Sequence, residues 1–328
     1  MTFNGCYEMS IQITGSGFYL PPYIENSKTT AKIIRKNEDW IISKTGVKER
    51  RISKIDVDKM GAIAAEKALN GNGAPDLIIN ASGVPKQTIP DTSVFFQKEL
   101  SLKSIPCFSI HGTCLSFLIA LNNARSLINT NVYERILIIS SDRGSLGRNP
   151  KEPESAALLG DAAAAILVEK EKSNSNNFHY WKMNTWSNDA DLTEVRGGGT
   201  SKHPLDPNTK IEDNLFTMDG PAVYKSARKK AYRMVLETFK NTKFDKEDVD
   251  WLIPHQASLK AINAYSEYGN FDMNKIINIV PTTGNCVAAS MPLALATAIY
   301  DGRIQRGDLL YLIGTGAGLS MACALLTY

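Results

Sequence analysis

The stretch H-G-T-C-L-S-F-L-I-A-L, from His111 to Leu121, decides the fold of this chain and places one cysteine between a tight turn and a helix. Gly112 permits a close bend, and the residues after Cys114 carry no charge until Arg125, which predicts a buried helix with Cys114 in its first turn. Backbone N–H groups at a helix start favour thiolate over thiol and can hold an oxyanion. The stretch therefore predicts a nucleophile, although a cysteine buried as a small hydrophobic residue gives the same pattern.

The composition is that of an ordinary globular protein of 328 residues, with 43% apolar and 22% charged residues. A net charge of +3 gives no reason to expect nucleic-acid binding by bulk electrostatics. No uncharged apolar segment reaches the roughly 18 residues of a membrane-spanning helix. Asn4, Glu8 and Gln12 interrupt any run typical of a signal peptide. We therefore expect a cytoplasmic protein that binds neither nucleic acid nor a membrane.

The cysteines form an odd set without a C-x-x-C pair, at positions Cys6, Cys107, Cys114, Cys286 and Cys323. This pattern argues against a disulfide framework and against a zinc knuckle. No metal site is expected.

Strand signals that alternate with helix signals predict an α/β protein with a parallel sheet at its centre. Strands are expected at 11–20, 74–82, 135–141, 160–168, 250–258 and 308–319, and helices at 58–69, 93–102, 224–236 and 283–298. Residues 171–214 are polar and rich in glycine and proline, which indicates a connection between two halves. The charged segment 38–51 is interpreted as a solvated helix end.

The two halves of the sequence resemble each other. The segments G-T-C-L at 112–115 and G-N-C-V at 284–287 each open an Ala/Leu-rich helix, and the strands before and after them keep nearly the same spacing. One almost constant offset relates Gly112 to Gly284, Ile136 to Leu309, and Ile79 to Ile253. Such a repeat predicts a duplicated α/β unit, with an N-terminal half at 1–170 and a C-terminal half at 171–328. In this alignment the helix starts at Cys114 and Asn285 are counterparts, and His255 lies at a strand end, where an α/β sheet usually places its chemistry.

His255 and Asn285 are the groups that a thiol nucleophile needs, because one can hold or move a proton and both can donate to developing negative charge. Each has an alternative interpretation. A lone histidine at a strand mouth can be a hydrogen-bonding residue at the edge of the core. An asparagine beside Gly284 can be a turn residue.

Several ordered motifs carry a resemblance to a known family: G-S-G-F-Y-L-P-P, D-W-I-I-S-K-T-G-V-K-E-R-R, L-L-G-D-A-A-A-A, F-T-M-D-G, D-W-L-I-P-H-Q-A-S-L-K and G-N-C-V-A-A-S-M-P-L-A-L. Together with the Cys114 segment, they make the chain resemble a β-ketoacyl-acyl-carrier-protein synthase III, a condensing enzyme of the thiolase superfamily. The resemblance implies a thiolase-like, five-layered αβαβα fold from two duplicated halves, a homodimer, and a Cys-His-Asn triad at Cys114, His255 and Asn285.

The resemblance also implies the reaction, a step of fatty acid biosynthesis. Cys114 takes an acyl group from acyl-CoA or acyl-ACP, and the oxyanion is held by the N–H groups of Cys114 and Ala317. Malonyl-ACP then loses carbon dioxide, and His255 and Asn285 stabilise the enolate that attacks the acyl group. No permanently bound cofactor is implied.

Basic residues acquire a second interpretation from the same resemblance. Lys225, Arg228 and Lys260 are expected to dock the acidic acyl carrier protein. Trp40, Lys44 and Thr45 resemble the segment that holds the pantetheine or nucleotide part of coenzyme A. A role in surface solubility is the alternative for each.

Some positions depart from the family pattern. Thr315 replaces an aromatic residue, Ala317 a glycine, Pro153 an arginine and Ser258 an asparagine. These departures favour a specialised relative, in secondary metabolism or unusual acyl chain synthesis. Three alternatives stay open: an acyltransferase that acts without condensation, an inactive partner subunit, and a papain-like hydrolase, whose chain order is also Cys, His, Asn.

Overall fold

The computed structural model describes residues 11–171 and 176–328. Cys6, Asn4 and Glu8 lie outside the described residues, and so do the expectations that rest on them. The strands are β1 (Ile11–Tyr19), β2 (Tyr23–Asn26), β3 (Glu49–Ile52), β4 (Leu77–Asn80), β5 (Cys107–Ser109), β6 (Arg135–Arg143), β7 (Asp161–Lys170), β8 (Phe178–Thr185), β9 (Thr193–Glu194), β10 (Thr217–Met218), β11 (Trp251–Pro254), β12 (Leu309–Gly316) and β13 (Ser320–Thr327). The helices are α1 (Ser27–Ile34), α2 (Glu38–Thr45), α3 (Val57–Leu69), α4 (Ser93–Glu99), α5 (Ser116–Asn129), α6 (Pro153–Ala156), α7 (Gly220–Lys240), α8 (Leu259–Glu267), α9 (Val280–Thr283) and α10 (Ser290–Tyr300).

Two mixed sheets form the framework. The first has the order β1-β7-β6-β4-β5 and the second the order β8-β13-β12-β11. Strands β4, β5 and β6 run parallel, as do β11 and β12, whereas every other neighbouring pair in these two sheets is antiparallel. The prediction of parallel strands is therefore confirmed for these five strands. It does not account for the antiparallel strands that complete each sheet.

Three hydrophobic clusters fill the four interfaces between five layers, because the largest cluster spans two of these interfaces. The largest lies between the sheets, where α5 and α10 pack against inward residues of both, such as Ile138 and Leu312. A second cluster packs α3 on the outer face of the first sheet, and a third packs α7 and α8 on the outer face of the second. Side chains on β6 alternate between the inner and outer clusters, Ile138 inward and Leu137 outward, because successive strand residues point to opposite faces. The expected αβαβα arrangement is confirmed.

The internal repeat has a single offset over the elements that carry the site. It relates the first residues of three pairs of elements: Leu77 of β4 to Trp251 of β11, Arg135 of β6 to Leu309 of β12, and Ser116 of α5 to Ser290 of α10.

The turns before the two helices α5 and α10 match in detail. Thr113 and Val287 both adopt left-handed backbone, with φ of 54° and 53°. Ser116 Oγ accepts the Gly112 N–H at 3.0 Å, and Ser290 Oγ accepts the Cys286 N–H at 2.8 Å. The same serine position therefore closes both turns.

This offset corrects the sequence alignment of the halves. Cys114 corresponds to Ala288, and Asn285 corresponds to His111, so Cys114 and Asn285 are not counterparts. The glycine match was misleading because Gly284 has a φ of +65°, where a Cβ would lie 2.4 Å from the Leu158 carbonyl oxygen. Gly112 has a φ of −147°, a conformation that does not require glycine.

Two further expectations are wrong. Residues 171–214 contain β8, a full strand of the second sheet; its mixed sequence F-H-Y-W-K-M-N-T and its partial burial reflect its place at the sheet edge. The segment 38–51 is not simply a solvated helix end, because it continues into β3 and buries Arg50 completely. Within the described residues, no helix is both long and apolar enough to cross a membrane.

Candidate active site

Cys114 lies at the tip of a 3₁₀ turn, Thr113–Leu115, immediately before α5. Thr113 is β-branched and left-handed, a combination that L-residues rarely adopt and that stores strain. Ser116 holds this conformation, because its Oγ accepts from the Gly112 N–H and donates to the Thr113 carbonyl at 2.7 Å. The prediction that Cys114 lies at a turn is confirmed. The residue lies in the 3₁₀ turn before α5 and not in the first turn of the α-helix itself.

Two glycines of β12 bring this turn towards His255. A Cβ on Gly314 would lie 3.0 Å from His255 Cβ and 3.3 Å from Leu115 Cδ2. A Cβ on Gly316 would lie 2.5 Å from Thr113 Oγ1. Since neither strand position carries a side chain, the cysteine turn and the end of β11 can both pack directly on β12.

His255 follows β11 and is only 6% exposed. Its backbone N–H donates to the Ile313 carbonyl at 2.9 Å, which extends the parallel pairing of β11 with β12 by one residue. Burial lowers the pKa of His255 to about 4, so the imidazole is neutral at pH 7. Within the described residues its Nδ1 atom has no hydrogen-bond partner.

Asn285 links the two halves through its backbone. Its N–H donates to the Leu158 carbonyl at 2.8 Å, and its carbonyl accepts the Gly160 N–H at 2.9 Å. The side-chain oxygen Oδ1 accepts from the Val287 N–H at 2.9 Å and from Ser290 Oγ at 3.3 Å. Because these donors fix which end of the amide is oxygen, the Nδ2 group is left as the donor for a ligand.

The resting sulfur is a thiol. Burial, together with a smaller effect of the negative charge of Asp142, raises the pKa of Cys114 to about 12, although the N–H of Cys114 itself acts in the opposite direction. The expectation that the helix end favours a thiolate is therefore wrong for the resting site: desolvation and a buried carboxylate outweigh the backbone donors.

A cavity of about 280 Å³ leads towards these residues. His255, Asn285 and Thr315 line it at buried or half-buried positions, whereas Lys44, Arg228 and Lys260 line it nearer to solvent. The buried end of the cavity therefore carries the histidine and the amide, and the solvent end carries positive charge. Cys114 is not among the lining residues; the packing of its turn on Gly314 and Gly316 places it beside the buried end.

Of the residues expected to hold coenzyme A, Lys44 and Thr45 line the cavity and Trp40 does not. Thr45 is buried, and its Oγ1 donates to the Ile41 carbonyl and accepts the Val47 N–H, so the hydroxyl completes the end of α2. Trp40 packs beside the small cluster of α1, α2 and α6, with Lys36 Nζ 5.3 Å from its ring centre.

The residues expected to dock a carrier protein divide in the same way. Arg228 and Lys260 line the mouth of the cavity, where Arg228 lies 4.4 Å from the Tyr268 ring centre and Lys260 lies 4.5 Å from that of Tyr224. Lys225 is exposed on α7 but does not line the cavity.

Two residues that depart from the family pattern have defined positions beside the site. Ser258 is the N-cap of α8, and its Oγ accepts the Ala261 N–H at 3.2 Å. Ala317 lies in the short turn between β12 and β13, directly after Gly316, which packs on the cysteine turn.

Sequence reasoning missed three residues at the site. Tyr224 and Tyr268 lie at the mouth, and Asp142 lies beside the cysteine turn. Only the aromatic residues of α7 and of the C-terminal end of α8 could have pointed to the tyrosines, and no sequence signal marks Asp142.

Comparison with known proteins shows the family to which the chain belongs. The model of a family described as 3-oxoacyl-[acyl-carrier-protein (ACP)] synthase III matches residues 108–186, and the model of its C-terminal part matches residues 239–328. The chain is 33% identical over 326 residues to the beta-ketoacyl-[acyl-carrier-protein] synthase III of Blochmanniella floridana, covering 98% of this chain and 100% of the relative. It is 32% identical over 329 residues to the protein of the same name from Pasteurella multocida, with 98% and 100% covered.

Solved structures extend the agreement to the fold. The crystal structure of 3-oxoacyl-[acyl-carrier-protein] synthase III from Aquifex aeolicus superposes with a TM-score of 0.88 at 29% identity and covers 97% of this chain and 100% of that chain. A match of this extent gives no support to a papain-like hydrolase. Since sequence and fold agree over nearly the whole length, the chain belongs to the β-ketoacyl-[acyl-carrier-protein] synthase III family of thiolase-like acyltransferases.

Proposed function

We propose that this protein catalyses a decarboxylative Claisen condensation, in which Cys114 carries the acyl group and a malonyl thioester extends it. The observation that carries the proposal is the meeting of a neutral His255 and the Asn285 amide at the buried end of one cavity, beside the cysteine turn. Two neutral donors at the buried end of a cavity stabilise an enolate oxygen without first having to be charged.

Acylation begins from a thiol and a neutral imidazole. As Cys114 Sγ attacks the thioester carbonyl, His255 accepts the thiol proton, and the N–H groups of Cys114 and Ala317 hold the oxyanion. The carbonyl–sulfur bond of the donor then breaks, and the departing thiolate takes the proton from His255. The product is a neutral thioester, which leaves no charge in the buried site.

In the condensation step, His255 acts with Asn285 as a hydrogen-bond donor. The malonyl carboxylate leaves as carbon dioxide, and its electron pair forms an enolate whose oxygen accepts hydrogen bonds from His255 Nε2–H and Asn285 Nδ2–H. The carbanion attacks the acyl carbonyl, the bond to Cys114 Sγ breaks, and the sulfur regains a proton from water.

The solvent end of the cavity suits a carrier that is anionic. Arg228 and Lys260 lie at this mouth, and Lys225 extends the positive surface along α7, so we assign the docking of an acidic acyl carrier protein to these residues.

The remaining lining residues suit the rest of the substrate. Lys44 and Thr45, at the end of α2, line the same cavity, where the phosphate-bearing arm of coenzyme A or of the carrier would pass. The packing of Trp40 makes it a positioning residue for α2. Thr315 at the buried end supports a specialised acyl substrate.

We also propose a homodimer formed along β5, and a cytoplasmic location. Strand β5 is the edge of the first sheet, and an uncovered edge is a template for pairing. Phe108 on this strand and Ile89 in the loop between β4 and α4 are 39% and 82% exposed, and we propose that a second copy covers them. The four cysteines of the described residues are free, as in a reducing compartment.

The function is tested by incubating the purified protein with a panel of acyl thioesters, measuring intact mass, and then adding malonyl-ACP. We expect a single acyl adduct that Cys114→Ala abolishes and Cys107→Ser retains, followed by its conversion to a β-ketoacyl product. An adduct that is never extended but passes to an alcohol or amine would instead identify an acyltransferase without condensation. The absence of any adduct dependent on Cys114 would refute the proposal.

A further inference from the structure

Asp142, near the end of β6, is fully buried and binds backbone from two separate loops. Its Oδ1 accepts the N–H groups of Gly83 and Val84 at 2.9 and 3.0 Å. Its Oδ2 accepts the Ala289 N–H at 3.1 Å, and the Ala288 N–H also donates to this carboxylate. One side chain of the N-terminal half thus caps the turn Val287–Ala289 of the C-terminal half.

The internal repeat explains why this cap is informative. At the offset that relates α5 to α10, Ala288 and Ala289 correspond to Cys114 and Leu115, and Asp142 corresponds to Gly316. A carboxylate therefore sits against the N–H groups of one turn, and no side chain occupies the matching position at the other. The turn of the C-terminal half therefore binds a side-chain carboxyl group of the protein, whereas the Cys114 N–H of the other turn is left for an oxyanion that forms during the reaction.

The capped turn is also the one that orients Asn285. The Val287 N–H donates to Asn285 Oδ1, and Ser290, which begins the next helix, donates to the same oxygen. The left-handed conformation of Val287 is strained and persists only if neighbouring contacts fix it. Asp142 supplies those contacts at the two residues that directly follow Val287.

The negative charge of Asp142 helps to hold the turn of Asn285 in place, but it disfavours the thiolate form of Cys114. The Asp142 charge raises the pKa values of Cys114 and of the buried Cys286, which are the titratable groups of the two turns that face it. The loop at Gly83–Val84 contributes only backbone donors. Burial in turn raises the pKa of Asp142 to about 7, against the effect of those donors.

We propose that Asp142 is a positioning residue for the condensation step, which fixes the Val287–Ala289 turn and through it the Asn285 amide without touching substrate. The inference rests on the proposed function, because it assigns a role in that same site. This role predicts different effects on the two half-reactions, because acylation of Cys114 does not use the Asn285 amide and enolate formation does.

The test compares Asp142→Asn with the wild type in three measurements: the rate of Cys114 acylation by a small acyl thioester, the rate of condensation with malonyl-ACP, and the pH profile of Cys114 alkylation. The asparagine preserves the shape but turns an NH₂ group towards backbone donors. We expect condensation to fall by about tenfold to a hundredfold, as for a displacement of a reacting group by up to about 1 Å. Acylation should change by less than about threefold, because only condensation needs the aligned amide. The alkylation profile should shift to lower pH, because a negative charge has been removed.

Ser141→Ala is the matched control. Ser141 is the buried neighbour on β6, and its Oγ donates to the Val57 carbonyl on the other side of the sheet. Its loss removes a buried hydrogen bond and should lower thermal stability without changing the ratio of the two rates or the alkylation profile. If Asp142→Asn leaves the ratio of condensation to acylation unchanged, including by an equal loss of both rates, the proposal is overturned.

A second variant covers the case in which Asp142→Asn does not fold. Val84 is half exposed and its φ is not left-handed, so Val84→Pro removes one N–H donor to Asp142 from a surface loop. We expect a smaller drop in condensation relative to acylation, and a folded variant with an unchanged ratio contradicts the proposal. If the wild type itself does not catalyse condensation, the proposed function fails, and this inference fails with it. If the wild type does catalyse condensation, the ratio of condensation to acylation in the variants tests this inference alone.

Discussion

Thr113 and Val287 share one backbone conformation although they belong to opposite halves of the chain, and both are β-branched residues with positive φ. Each begins a turn whose N–H groups face an anion, Asp142 in the C-terminal half and, by our proposal, the reaction's oxyanion in the N-terminal half. The strain is therefore a property of the duplicated unit rather than of the nucleophile alone.

The packing of Thr113 on Gly316 predicts a steric test of this turn. In Gly316→Ala the new Cβ would lie 2.5 Å from Thr113 Oγ1, so the cysteine turn must shift, and we expect Cys114 acylation to slow by about tenfold or more. Thr113→Gly removes the opposing side chain and tolerates positive φ. The double variant should recover part of the lost rate, which a double-mutant cycle measures. Additive losses would show that the two residues do not act on each other.

The raised pKa of Cys114 predicts a characteristic alkylation profile. Since the pKa lies near 12, the thiolate fraction at neutral pH is very small and grows with each step in pH. The iodoacetamide rate at Cys114 should therefore rise about tenfold per pH unit from pH 7 to pH 9. Mass spectrometry of tryptic peptides, with Cys114→Ser as the control, measures it. A plateau below pH 8 would indicate a stabilised thiolate and contradict this assignment.

The positions of the proposed catalytic residues can be predicted from the sequence better than the correspondence of the two halves. Cys114, His255 and Asn285 each follow a strong strand signal or precede a strong helix signal, and such signals are local. The correspondence of the two halves was misjudged because glycines in G-T-C and G-N-C look alike, while only Gly284 has left-handed backbone. Arg50 and Asp142 escaped notice for a related reason. Both are charged residues made buried by partners distant in the sequence, and no local pattern encodes such contacts.

The lowered pKa of His255 predicts how stability depends on pH. The unfolded chain binds a proton at the ordinary pKa of 6.5 and the folded protein only near 4, so stability is lost as pH falls through this window. Asp142 acts oppositely, because its folded pKa of about 7 lies above its ordinary value of 3.8. The two effects partly cancel, so the pH dependence of wild-type stability does not report either of them separately.

Comparison with His255→Gln isolates the histidine. Urea unfolding of both proteins at pH 7.5 and pH 4.5 should show the wild type losing roughly 2 to 3 kcal/mol relative to the variant at the lower pH, because the imidazole there is protonated in the unfolded chain and mostly neutral in the folded one. Parallel profiles for the two proteins would mean that His255 binds its proton equally well when folded.

The cations at the cavity mouth predict a selective loss of carrier-protein use. Lys260 lines the mouth and lies over the Tyr224 ring, whereas Lys229 is exposed on α7 and does not line the cavity. Lys260→Glu reverses one charge at the docking surface, so the KM for malonyl-ACP should rise by about tenfold, while acylation from a small thioester stays unchanged. Lys229→Glu makes the same change in net charge and serves as the control. Because salt screens exposed charges, the difference between the two variants should shrink as ionic strength rises towards about 0.5 M. Equal effects of the two variants would assign the loss to overall charge and remove Lys260 from the docking surface.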